Sequence, residues 1–120
     1  MITSKIKELM DNNNILFSVI ANLDNDQVKM LGHKEKLNHI DLFNTLFGDK
    51  NSIKALNDSL EGQLMPSIWG QGEVSCIVCK PVNNILVGLF FHDTREPIEA
   101  YRFSKEMNKQ IELIWNVKLE

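Results

Sequence analysis

The run "ILVGLFF", residues 85 to 91, constrains the fold more than any other part of the sequence. It is apolar at every one of its seven positions, far short of the roughly 20 residues that a membrane-crossing helix needs. Just before it stands Asn83-Asn84, a turn signal, and before that "EVSCIVCKP" (73 to 81), rich in β-branched residues. Two such runs flanking a turn predict a β-hairpin. A strand without a polar face must be covered on both sides. Residues 85 to 91 are therefore expected at the centre of a sheet lying between helical layers.

The rest of the chain falls into place around that hairpin. Residues 3 to 11 read as a short helix with Ile6, Leu9 and Met10 on one stripe, capped by Thr3 or Ser4 and stopped by Asn12 to Asn14. "ILFSVIANL" (15 to 23), the turn "DND" (24 to 26) and "QVKMLGH" (27 to 33) predict a first hairpin. Residues 39 to 64 carry a helical stripe of Ile40, Phe43, Leu46 and Phe47, resumed by Ile53, Leu56 and Leu60. Gly48-Asp49 marks a break, or at least a weak point, between the two halves, and Pro66 ends the segment. "SIWGQG" (67 to 72) reads as a short strand or bulged edge, since its glycines weaken a ladder. A final helix follows Asp93 or Thr94, with Pro97 in its first turn and Ala100, Phe103, Met107, Ile111 and Ile114 on one face. The order is α-β-β-α-β-β-β-α, an α+β fold on one antiparallel sheet, filling residues 1–120 as a single domain.

The most conspicuous chemical motif is Cys76-Ile-Val-Cys79. Side chains alternate across a strand, so positions three apart point to opposite faces. On a strand these thiols can neither form a disulfide with each other nor grip one metal ion. They are expected to be buried filler, as free cysteines commonly are. His33, His39 and His92 stand singly, with no ligand spacing. His92-Asp93 reads as a strand end followed by a helix cap. "WGQG" (69 to 72) lacks the length and the Lys-Ser/Thr of a phosphate loop and reads as a turn or bulge. No serine has a nucleophile-elbow context. The sequence therefore points to no catalytic residue, no metal ligand and no cofactor. Trp69, in a glycine-flanked strand, fits either a core or an interface role, and Trp115 is expected to cover the core beside the last helix.

Composition narrows the function classes. A net charge of -3 argues against binding to nucleic acid or an anionic membrane surface. The N-terminal "MITSKIKELMDNNN" has no apolar secretory core, and the chain has only two cysteines, which points to a reducing, cytoplasmic setting.

The element order, with "EVSCIVCKPVNNILVGLFF" running into "EPIEAYRFSKEMNKQIELIW", resembles the roadblock / dynein light chain superfamily. The resemblance implies a five-stranded antiparallel sheet with helices on both faces, the first and last on one side and the middle helix on the other. It also implies a non-enzymatic protein-interaction module, a homodimer acting as scaffold or regulator of a small Ras-like GTPase. Pairing would use the middle helix and the adjoining edge strand, here Ile53, Leu56 and Leu60 with Ile68 and Trp69. Two features depart from the family: the break at Gly48-Asp49, and large side chains in the middle helix where small ones are usual. Two other classes stand beside it: a small acidic secretion-type chaperone of similar size, charge and mixed topology, holding an effector segment, and a small-molecule sensor domain, since such domains also pair a central antiparallel sheet with helices, with a polar-lined pocket between sheet and helix.

Overall fold

The computed structural model describes residues 2–119, with side chains described through residue 116. Helix α1 (Ile2–Asn13) leads into the hairpin β1 (Phe17–Asn22) and β2 (Gln27–Gly32). A 3-10 turn (Lys34–Lys36) connects to α2 (Asp41–Phe47) and α3 (Lys50–Ser59), and then come β3 (Ser67–Gln71), β4 (Val74–Val82), β5 (Ile85–His92) and α4 (Pro97–Leu119). The five strands order as β2-β1-β5-β4-β3, and every neighbouring pair is antiparallel.

The all-apolar strand is central, as its composition requires. Leu86 to Phe90 are essentially inaccessible to solvent, because alternate residues feed different layers. Leu86 and Phe90 join the core under α2 and α3, with Phe17, Val19, Phe43, Phe47 and Leu56. Val87, Leu89 and Phe91 join the core under α1 and α4, with Ile6, Met10, Met107 and Ile111. The first and last helices thus share one face of the sheet and the middle helices the other.

The middle segment divides in two. Asp49 is extended (φ -151°, ψ 174°), and its carboxylate accepts the backbone N–H of Ser52 at 2.7 Å, capping α3. Gly48 itself keeps right-handed helical angles (φ -67°, ψ -29°). Glycine is needed there for space, since a Cβ would stand 2.3 Å from the Asn44 carbonyl oxygen. Asp49, by its extended backbone, is what breaks the helix. The helical segment also stops at Ser59, before the expected 64, because Gly62 (φ 77°) turns the chain toward β3.

Smaller expectations also shift. β3 pairs regularly with β4 from Ser67↔Val78 to Gln71↔Val74, so it carries no bulge. The irregularity lies in β4 between Cys79 and Val82, at Pro81, which has no N–H to give to a ladder. Helix α4 begins at Pro97, leaving Asp93 to shape the preceding turn by accepting from the backbone and side chain of Arg95 at 3.0 and 3.1 Å. Arg95 in turn lies 3.8 Å over the Phe103 ring and 6.0 Å from that of Phe91, joining the end of β5 to α4. Thr3 and Ser4 fall inside α1, which begins at Ile2.

Candidate interaction surface

The cysteines come first, because they carry the only suggestive motif. Cys76 lies with Val74 and Val78 in the α2/α3 core, and Cys79 with Ile77 in the α1/α4 core. Both are free and buried on opposite sides of the sheet. Burial pushes the Cys79 thiol up to about 12, with the Glu112 carboxylate adding to the rise. Burial also raises Cys76 well above its ordinary value, with Cys79 as a further cause. Neither is a thiolate at neutral pH, so neither is a nucleophile or a soft ligand. Among the described residues no three His, Cys, Asp or Glu side chains gather to hold a metal ion.

The five candidate interface residues separate into two groups. Ile53, Leu56 and Leu60 are 7%, 5% and 5% exposed and pack into the chain's own core beneath α3. Contact with another protein at this helix would therefore come through its other side, where Asn51, Lys54, Ala55, Asp58 and Ser59 are exposed. Those residues, with Asn44 and Thr45 on α2, make that outer surface polar. Ile68 and Trp69 lie on β3, an edge strand with β4 as its only neighbour among the described residues. Ile68 pairs with Ile77 on the α1/α4 face and is 51% exposed, because neither helix extends over this edge. Trp69 pairs with Cys76 on the opposite face. Its ring packs half-buried against the α2/α3 core, and its Nε1 is buried without a hydrogen-bond partner among the described residues. The β3 edge thus offers unpaired backbone groups, one exposed aliphatic side chain and one half-covered indole.

The opposite edge, β2, has an apolar surface of its own. Val28 and Met30, two apart on one face, are 39% and 48% exposed. They line a groove of about 460 Å³ against α3, floored by Ala21, Phe47 and Ile53. Lys50 of α3 meets Asp26 of the β1–β2 turn at 2.9 Å beside it. The alternation of Val28 and Met30 was visible in the sequence; that α3 stops short of covering them was not. On the other side of the sheet, Phe91 of β5 and Phe103 of α4 meet edge to face at 5.3 Å. No helix among the described residues is long and apolar enough to cross a membrane.

A search against models of protein families finds no match, and neither does a search of curated proteins. Among solved structures, MglB of Myxococcus xanthus superposes with a TM-score of 0.60 at 11% identity, over 97% of this chain and 95% of that one. The chain has a roadblock-like fold. In the roadblock-like frame, α1 and α4 are the outer helices, α2 with α3 stands for the middle helix, and β3 is the strand beside it. The near-complete coverage of both chains makes the likeness one of the whole fold, at an identity that leaves little in common between individual side chains.

Proposed function

We propose that this chain is a single-domain, non-enzymatic interaction module that pairs with a second copy of itself along β3 and regulates a small Ras-like GTPase in the cytoplasm. The open β3 edge carries the reading. It has free main-chain groups along Ser67–Gln71, flanked by exposed Ile68 on one face and Trp69 on the other. Antiparallel addition of a second β3 would satisfy those groups and extend the sheet across two chains. Ile68 and Trp69 contribute directly, while Ile53, Leu56 and Leu60 act from below by fixing α3 against the sheet. The polar outer side of α2 and α3 then borders the seam. The GTPase partner is supported by the likeness to MglB, a GTPase regulator of the same fold.

Sedimentation equilibrium tests the pairing. The chain is expected to associate at micromolar concentration, and an Ile68→Lys substitution to return it to monomer by placing a charge on the seam. A wild-type chain that stays monomeric at high micromolar concentration overturns the pairing. Affinity capture from native lysate with the full chain as bait tests the partner. Recovery of a small GTPase supports the reading, and recovery of a secreted polypeptide in its place replaces the regulator with a chaperone.

A further inference from the structure

The connection from β2 to α2 is held to the sheet by consecutive residues with different chemistry. Leu37 is 6% exposed and anchors it in the α2/α3 core. Asn38 is tied twice: its backbone N–H donates to Nε2 of His92 at 3.0 Å, and its side-chain amide donates to the Glu73 carboxylate. The imidazole of His39 sits over the β3–β4 turn, where a Cβ on Gly72 would stand 3.0 Å from its Nε2. The Glu73 carbonyl also accepts from the N–H of Asp93 at 3.3 Å, so the ends of β4 and β5 and the lead-in to α2 meet at one point.

An imidazole nitrogen accepts a hydrogen bond only while it is unprotonated. The bond from Asn38 therefore fixes His92 as the neutral ring with its proton on Nδ1. Protonation makes Nε2 a donor facing another donor. We propose that the His92–Asn38 bond is a pH-operated latch, which holds the lead-in to α2 against the sheet at neutral pH and releases it when His92 takes up a proton. Several titratable and charged groups stand around it. Glu73 comes from the β3–β4 turn, and Asp93 adjoins His92 with Arg95 as its ion partner at 3.1 Å. His39 lies one residue beyond Asn38, and His33 pairs with Glu35 at 3.2 Å farther back along the connection. Leu37 stays buried, which confines the opening to residues 38 to 40 and the first turn of α2. This latch requires no partner and does not depend on the dimer or the GTPase.

The test is a titration of the full, ¹⁵N-labelled chain followed by NMR, from about pH 7.5 to about 5.5, the range in which histidine titrates. At the upper end, long-range proton–nitrogen spectra are expected to show His92 with Nε2 unprotonated, the less common tautomer of a free ring. As pH falls, the Asn38 amide resonance should move in step with the His92 ring signals. Its protection from exchange, normalised to the intrinsic rate at each pH, should drop about fivefold, the loss of one ordinary hydrogen bond. His92→Gln should abolish this response, and His39→Gln should leave it. An Nε2-protonated ring at neutral pH, an Asn38 amide indifferent to the His92 titration, or a response surviving in His92→Gln would each overturn the latch. The tautomer is read on the wild-type chain, so a poorly folding variant cannot hide the result.

Discussion

Gly88, in the middle of the central strand, gives the sharpest test of how the two layers are fitted. Its missing side chain leaves room for Phe47: a Cβ there would stand 2.6 and 2.9 Å from the Phe47 ring and 3.3 Å from that of Phe90. Neither ring is free to retreat. Phe47 is 2% exposed at the end of α2, and Phe90 contacts it edge to face at 6.1 Å while also meeting Phe43 at 6.0 Å. Gly88→Ala overpacks this cluster, which costs about 1–3 kcal/mol. Removing glycine from a strand returns about 0.5–1 kcal/mol. The net expectation is a destabilisation of about 1–2 kcal/mol, or roughly 4–8 °C in melting temperature for a chain of this length. Phe47→Leu alone also destabilises, through lost ring area and edge-to-face contact. The double variant is the decisive one: the smaller Leu makes room for the new methyl, so it should lose less than the sum of the single changes, with a coupling of at least about 0.5 kcal/mol. Urea unfolding of the four proteins measures the cycle. Additive effects, or a Gly88→Ala chain as stable as wild type, would refute the claim that Phe47 occupies the space above Gly88.

Three other outcomes follow from the same structure. The hydrogen bonds from Ser52 and Asn51 hold the Asp49 carboxyl below its ordinary range, so the advantage of wild type over Asp49→Ala should be full above the usual aspartate range and vanish as pH falls through the lowered value; an unchanged difference down to strong acid, read by thermal melts, would refute the cap. Cys76 and Cys79 should stay silent toward a thiol-reactive dye in native buffer and react together on unfolding; rapid labelling of the folded chain would contradict their burial. Met30→Asp on the open β2 edge should leave stability within about 0.5 kcal/mol, since Met30 is 48% exposed; a larger loss in denaturant titration would mean that the groove is closed in solution.

The sequence settled everything that depends on local periodicity. The unbroken apolar run from Ile85 to Phe91 required cover on both sides and therefore a central strand. Alternation placed Cys76 and Cys79 on opposite faces before any coordinates were needed. Stripes at helical spacing located the helices, and Gly48-Asp49 marked the break between α2 and α3. The tertiary structure decided what lies on the far side of each stripe. Ile53, Leu56 and Leu60 form the same pattern whether they face the chain's own sheet or a second copy, and only the packing shows them buried beneath α3. How far each helix extends over the sheet also depends on long-range contacts. That extent leaves Ile68 exposed at one edge and Val28 and Met30 at the other. The bond between Asn38 and His92 joins residues 54 positions apart, a separation that no local rule of spacing can detect.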